Sequence, residues 1–204
     1  FNAYCYGTLR FGLNVNGGRM EPDEKGQVLT GPGPGMVFGP HVRGWRYDGR
    51  KIDAMGNLNF FAYFTLRFGV NVTAGEVDGD FPEEILTGPG PGAVFAPQIR
   101  GWNFDGGPLT SIAKINFNAF SVTSYGANIA AGDVDGDYVA DMLSTLGPGP
   151  THSATFHGHS FAGGAVAALP GFDTTPFTTK FGGRIGAGPI STYAKRDLLA
   201  APGR

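Results

Sequence analysis

A tandem repeat with a step of 57 residues constrains this fold more than any other feature of the sequence. Three motifs each occur three times at that step: RFGLNV, RFGVNV and SYGANI from residues 10, 67 and 124; TGPGPG, TGPGPG and STLGPG from residues 30, 87 and 144; VRGWRYDG, IRGWNFDG and FHGHSFAG from residues 42, 99 and 156. Because three separate motifs keep one register without insertions, each unit is one structural module. A fourth, weaker copy begins near FGGRIGAG at 181–188.

The composition favours a packed protein with many turns and excludes several functional classes. The 204 residues include 35 Gly and 15 Pro, but also 17 Phe and 7 Tyr, and disordered chains are poor in aromatic residues. A net charge of -2 argues against nucleic acid or anionic membranes as partners. The single cysteine, Cys5, excludes an internal disulfide and a CxxC zinc site. Apolar runs are too short for a transmembrane helix, so we expect no membrane span.

Each unit contains short runs of aromatic and β-branched residues separated by Gly, Pro, Asn and Asp, with no sustained helical period. About four strands per unit is the pattern of a β-propeller blade, whereas β-solenoid coils are usually shorter. The sequence therefore predicts an all-β fold of about three and a half blades, which cannot close a ring alone. The predicted divisions are a partial blade 1–52, blades 53–109 and 110–166, and a partial degenerate blade 167–204.

An acidic loop precedes an apolar strand in units two and three. Carboxylates occupy loop positions 1, 3, 5 and 9, and position 7 offers a backbone carbonyl: Glu76, Asp78, Asp80, Pro82 and Glu84 in loop two (76–84), and Asp133, Asp135, Asp137, Val139 and Asp141 in loop three (133–141). Four carboxylates so close together repel one another unless a cation neutralises them. Oxygen ligands at this density suit Ca²⁺, which accepts six to eight of them in flexible geometry.

The two remaining loops break this pattern, so the sequence predicts two Ca²⁺ sites. The corresponding residues are Arg19, Glu21, Asp23, Lys25 and Gln27 in loop one (19–27), and Pro189, Ser191, Tyr193, Lys195 and Asp197 in loop four (189–197). An EF-hand is excluded, because glycine occupies position 4 rather than 6, position 12 is not Glu, and the flanks are strands.

The units begin with similar pairs, Phe11-Gly12, Phe68-Gly69 and Tyr125-Gly126. These pairs, the acidic loop and the Gly-Pro stretch after it resemble FG-GAP repeats, the blades of the integrin α-chain propeller and of many surface proteins. The resemblance covers nearly the whole chain. It implies that positions 1, 3, 5 and 9 of loops two and three supply Ca²⁺ ligands. The departures from the family pattern are Glu76, at a position that is usually Asp, and the broken loops one and four.

The Arg-Gly-Trp element of each strong repeat is a second candidate site. Arg43 and Trp45, like Arg100 and Trp102, could contact a ligand such as a sugar ring, or could pack between neighbouring blades. His157 and His159 occupy the corresponding places in unit three and are interpreted as diverged copies of this element. The alternating prolines of TGPGPG remove the N–H donors that a phosphate loop needs. No catalytic Ser/His/Asp set is evident, so we expect no enzyme.

These features predict a non-catalytic, extracellular or cell-surface calcium-binding protein used in adhesion or as a structural subunit of an assembly or fibre. The alternative is a propeller-type lectin that binds a glycan through its tryptophans. Because three and a half blades leave unpaired edges, three arrangements stay open. The chain is part of a longer propeller, two copies complete one ring, or copies join head to tail.

Overall fold

A computed structural model describes residues 5–7, 10–23, 25–64, 67–161, 164–191 and 195–203, and it is all-β. The strands are β1 (Leu13–Gly18), β2 (Gln27–Pro32), β3 (His41–Tyr47), β4 (Ile52–Phe61), β5 (Val70–Gly75), β6 (Glu84–Pro89), β7 (Gln98–Asn103), β8 (Thr110–Asn118), β9 (Ala127–Gly132), β10 (Asp141–Leu146), β11 (Ala154–Ser160), β12 (Ala167–Ala168), β13 (Thr174–Phe177), β14 (Gly183–Gly188) and β15 (Asp197–Pro202). None of the described residues forms a helix that could cross a membrane.

These strands form four antiparallel sheets, and each sheet is built mainly from strands that follow one another in the chain. Sheet one is β1–β4, sheet two is β5–β8, sheet three combines β9–β11 with the short strands β12 and β13, and sheet four is β14–β15. The predicted divisions at 52/53 and 109/110 fall at the start of β4 and β8, inside sheets. A repeat fixes the step between units but not where a unit starts, and the sheets place the starts at the Phe-Gly pairs.

Apolar side chains fill the space between consecutive sheets. The second strand of each of the first three sheets contributes a buried leucine to the junction with the next sheet: Leu29, Leu86 and Leu143. Strands alternate their side chains between two faces, so one strand serves both neighbouring junctions. In sheet three, Ile129 and Met142 face sheet two, whereas Ala130 and Leu143 face sheet four.

The first strands of consecutive sheets approach closely and are joined by asparagine side chains. The Nδ2 groups of Asn14, Asn71 and Asn128 donate to the backbone oxygens of Val70, Ala127 and Gly183, over 2.7, 2.6 and 2.6 Å. The close approach requires glycine at the end of the first strand in sheets one to three. A Cβ on Gly75 would lie 2.6 Å from the Cβ of Ala131, and one on Gly132 would lie 2.9 Å from that of Ala187.

The Phe-Gly pairs form a turn in the left-handed backbone region. Phe68 and Gly69 have φ angles of 69° and 65°, and the other copies behave alike. A Cβ on Gly69 would overlap the carbonyl oxygen of Pro32 in the preceding sheet. Both the Phe-Gly and the Gly-Pro motifs therefore have a structural cause, because the backbones of neighbouring sheets meet here.

Candidate metal centre

The four loops occupy equivalent places, between the first and second strands of each sheet. Position 1 directly follows the first strand, as Glu76 follows β5, and position 9 begins the second strand, as Glu84 begins β6. The hairpin fixes both ends of the loop, so in loops two and three it brings the carboxylates at positions 1 and 9 close together. This geometry follows from the sheet and does not depend on a metal.

Each acidic loop brings three carboxylates together. In loop two, ligand atoms of Glu76, Asp78 and Glu84 all lie within 4.8 Å of one another, and Asp133, Asp135 and Asp141 form the matching group in loop three. The residue at position 9 is buried in both groups, whereas the residue at position 3 is exposed. These two triads could hold metal ions, and they fall on the two loops for which the sequence predicts Ca²⁺.

Position 9 has a second role that all four loops share. Its side-chain oxygen accepts the backbone N–H of position 2: Gln27 from Met20 at 2.8 Å, Glu84 from Val77 at 2.8 Å, Asp141 from Val134 at 2.9 Å and Asp197 from Ile190 at 2.8 Å. The loop conformation therefore needs an acceptor at position 9 but not a negative charge. The loops differ in what surrounds the other terminal atom of the position 9 side chain, the one that does not accept this N–H.

In loop two that second atom is buried and without a partner. Glu84 is 0% exposed, and its Oε1 has no hydrogen-bond partner among the described residues. Burial raises the pKa of Glu84 to about 8; the Val77 N–H opposes this rise, and the charges of Asp78 and Glu76 add to it. The pKa values of Glu76 and Asp78 are also raised, in both cases chiefly by burial. A cation bound to these oxygens would supply the missing partner and favour the charged forms.

Loop three repeats this electrostatic arrangement with aspartates. Burial raises the pKa of Asp141 to about 6, opposed by the Val134 N–H, with smaller contributions from the other three aspartates of the loop. Asp133 also shapes the loop, because its two carboxylate oxygens accept the N–H groups of Gly136 at 2.5 Å and Tyr138 at 3.1 Å. The donor set is oxygen alone, which fits a hard cation such as Ca²⁺.

Loop one satisfies its own polar groups. Glu21, which corresponds to Asp78, forms a two-point ion pair with the guanidinium of Arg46, and its Oε2 accepts from Nε at 2.6 Å. Gln27 is neutral, and its Nε2 donates to Asp23 at 3.3 Å. Sequence reasoning missed Arg46, although the 57-residue step offers the signal, because Asn103 and Ser160 stand at the same position in units two and three. A side-chain cation thus accompanies the loop that lacks the acidic pattern.

Loop four also satisfies its position 9 residue internally. The two oxygens of Asp197 accept the N–H of Ser191 at 2.7 Å and its hydroxyl at 2.8 Å, besides the N–H of Ile190. These donors lower the pKa of Asp197, the backbone N–H of Ser191 contributing most. Tyr193 lies outside the described residues. Loops one and four therefore differ from loops two and three in the way that the broken sequence pattern predicts.

Four predicted ligands lie outside the two triads. Asp80 is close enough to contribute to the raised pKa of Asp78, and Asp137 uses one oxygen to accept the N–H of Val139 at 2.9 Å. Position 5 therefore shapes the loop, and its role as a metal ligand stays a prediction. The same holds for the backbone carbonyls of Pro82 and Val139.

Backbone hydrogen bonds join consecutive loops into a series. Position 8 of each later loop donates its N–H to the carbonyl of position 1 in the loop before: Glu83 to Arg19 at 3.0 Å, Ala140 to Glu76 at 2.6 Å and Arg196 to Asp133 at 2.6 Å. The ammonium of Lys195 in loop four also donates to the carbonyl of Asp135 at 2.5 Å. The two acidic loops, two and three, are therefore joined directly by the backbone hydrogen bond from Ala140 to Glu76.

The Arg-Gly-Trp element makes contacts inside the protein. The indole N–H groups of Trp45 and Trp102 donate to the hydroxyls of Thr30 and Thr87, at 2.9 and 3.1 Å. The guanidinium of Arg100 donates to the carbonyl of Ala62 at 2.9 Å. Trp45 is buried and Trp102 packs against the core between sheets one and two. The sequence left open whether this element packs inside the protein or contacts a ligand. The structure gives it packing contacts, and none of them requires a ligand.

In unit three, several residues that make these contacts are replaced together. His157 Nδ1 contacts the carbonyl of Ala119 at 2.8 Å, which matches the bond of Arg100 to Ala62, and its ring stacks on Phe120 with centroids 4.1 Å apart. Phe120 stands where Tyr63 stands in unit two. His159 replaces the tryptophan and packs on Phe117. The histidines are therefore diverged structural copies, in agreement with the repeat register.

No protein-family model matches the chain, and no curated protein matches it in sequence.

Proposed function

We propose that the protein is a non-catalytic calcium-binding repeat module that uses Ca²⁺ to fix loops two and three. The observation that carries this proposal is the buried Glu84 Oε1, which has no partner in the described structure although it lies within a group of three carboxylates. Leaving a buried acceptor unsatisfied costs about 1–3 kcal/mol, and more when it is charged. Loops one and four, which lack the acidic set, satisfy the equivalent atoms internally, because Gln27 Nε2 donates to Asp23 and the oxygens of Asp197 accept from Ser191.

The ion acts as a structural element in this proposal. It would be held by Glu76, Asp78 and Glu84 in loop two and by the equivalent aspartates in loop three, and it would neutralise carboxylates that otherwise repel one another. An ion that binds only the folded chain stabilises the fold by mass action, by about 2.7 kcal/mol at a concentration 100 times the Kd. The carboxylates serve to hold the ion, which is why we propose no catalytic activity.

The architectural and cellular part of the proposal rests on the repeat. The four sheets are proposed to be blades of an FG-GAP-type β-propeller, which accords with the 57-residue step and the repeated asparagine bonds between first strands. Extracellular Ca²⁺-binding modules commonly have Kd values of about 10⁻⁴–10⁻³ M, so partly exposed loops of this type suit an extracellular or cell-surface location. The proposed role is adhesion or a structural part of a surface assembly.

Calorimetric titration of the metal-free protein with CaCl₂ tests the calcium proposal. We expect two sites in the wild type, one site in Glu84→Gln and one in Asp141→Asn. Asp53→Asn is the matched control, because it removes one carboxylate from an exposed ion pair with Lys51 and lies beside loop one, which lacks the acidic set. It should keep both sites. Absence of binding at millimolar CaCl₂, or unchanged binding in both loop variants, would refute the proposal.

A further inference from the structure

The first and fourth sheets each have one face that no described sheet covers. On sheet one this face carries Leu13 and Val15 of β1, and Val15 is 60% exposed. On sheet four it carries Leu199 of β15, which is 48% exposed. We call these the β1 face and the β15 face. Apolar side chains at the same repeat positions are buried elsewhere in the chain, where a neighbouring described sheet covers them.

The β1 face matches the surfaces that are buried at the internal junctions. Val15 corresponds to Val72 in sheet two and Ile129 in sheet three, which are 5% and 8% exposed. Those residues are covered by the sheet that precedes theirs in the chain. Sheet one therefore presents to solvent the same apolar surface that sheets two and three bury.

The β15 face matches the other surface of each internal junction, the one that the earlier of the two sheets contributes. Leu199 corresponds to Leu29, Leu86 and Leu143, each of which is buried against the following sheet. Gly188 corresponds to the glycines whose missing Cβ admits the next sheet, and a Cβ on Gly188 would meet nothing within 4 Å. The side chain of Arg184 occupies the place of the junction asparagines. It is exposed and has no hydrogen bond or ion pair among the described residues.

We propose that the β15 face of one copy docks on the β1 face of a second copy of this chain, which gives the proposed assembly role its interface. The argument is continuity with an interface that the chain already makes three times, between sheets one and two, two and three, and three and four. The two faces are the two complementary halves of that interface. They differ from each other, so the contact is heterologous, and copies join head to tail.

The docked junction would reproduce the internal contacts residue by residue. Leu199 would enter the apolar surface of Leu13 and Val15, as Leu143 meets Ile185 and Leu198 inside the chain. Gly188 would admit the partner's first strand. Arg184 would donate to a backbone carbonyl of that strand, as Asn128 donates to Gly183.

Sedimentation of the full chain over a range of concentrations, with four variants, tests this inference. The wild type should self-associate, and Val15→Asp or Leu199→Asp should weaken the association at least about tenfold, because each places a charge in the contact. Gly188→Val should also weaken it without unfolding the chain, since a Cβ at this glycine has open space. Val94→Asp, an exposed apolar residue on a loop, is the matched control and should associate like the wild type.

Mixing two variants distinguishes this interface from any other. Val15→Asp keeps an intact β15 face and Leu199→Asp keeps an intact β1 face, so an equimolar mixture should form one-to-one dimers and stop there. A wild type that stays monomeric at every concentration overturns the proposal. So does association that Val15→Asp abolishes while Leu199→Asp leaves it unchanged, because a face that docks on itself would behave in that way. Thermal unfolding of each variant checks that its fold is intact. Calcium titration of the same samples is independent of this result, so the calcium proposal stands or falls separately.

Discussion

Replacing Glu84 with Gln should have opposite effects on stability without and with calcium. Without metal, the buried carboxyl has a pKa raised to about 8 from an ordinary value of 4.5. The folded state therefore holds a proton that the unfolded state has lost, and stability must fall as pH rises from about 4.5 to about 8. Glutamine removes this cost and keeps the acceptor for Val77, as Gln27 does for Met20 in loop one.

The size of the effect follows from the two pKa values of Glu84. At pH 7 a rise from 4.5 to about 8 costs the fold about 3 kcal/mol before solvent screening, which lowers the cost. For a domain of this size each kcal/mol shifts the Tm by about 2–4 °C. Metal-free Glu84→Gln should therefore melt several degrees above the metal-free wild type at pH 7, and the difference should vanish near pH 4.5. In saturating CaCl₂ the order should reverse, because only the wild type keeps the full ligand set in loop two.

Scanning calorimetry of chelator-treated, desalted protein at several pH values, with and without CaCl₂, measures both effects. Asp53→Asn controls for the loss of one surface charge and should follow the wild type under all conditions. A Glu84→Gln variant that melts below the wild type without metal at pH 7 would show that the buried carboxyl group does not destabilise the metal-free fold at that pH. The inference that the unpartnered oxygen marks a calcium site would then be refuted.

Three further predictions concern the loops and the repeated network. Tyr63→Phe should lower the free energy of unfolding in urea by about 1–2 kcal/mol, because the hydroxyl donates to the Gln98 carbonyl at 2.7 Å inside the protein; an unchanged midpoint would contradict the structural role. Asp141→Asn should weaken calcium binding in loop two by about fivefold in addition to removing binding in loop three, since the N–H of Ala140 bonds to Glu76; an unchanged loop two affinity would show that the loops act independently. Burial, and secondarily His157, lowers the pKa of His159, so the fold favours its neutral form and stability should fall as pH drops below about 6.5. His159→Phe should flatten that part of the pH profile in urea unfolding, and an unaltered profile would assign the dependence to another group.

Much of the site could be predicted from the sequence because its ligands lie within nine residues of one hairpin. A short loop between two paired strands leaves few ways to place its side chains, so the acidic pattern identifies loops two and three as the ones whose carboxylates come together. The sequence could not separate position 3 from position 5, since Asp78 and Asp80 are the same residue type two positions apart. It also missed Arg46, whose partner Glu21 is 25 residues away and meets it only through sheet pairing.

The sequence by itself determined the repeat step, the all-β class and the loops that carry carboxylates, because each is written in local patterns of residue type and spacing. Tertiary structure alone decided where each sheet begins and whether the repeated Trp and Arg face a ligand or the core. It also decided which apolar positions are covered. Val15 and Val72 are the same residue at the same place in the repeat, yet one is exposed and the other is buried. Burial depends on the neighbouring sheet, and no local pattern encodes whether that neighbour is present.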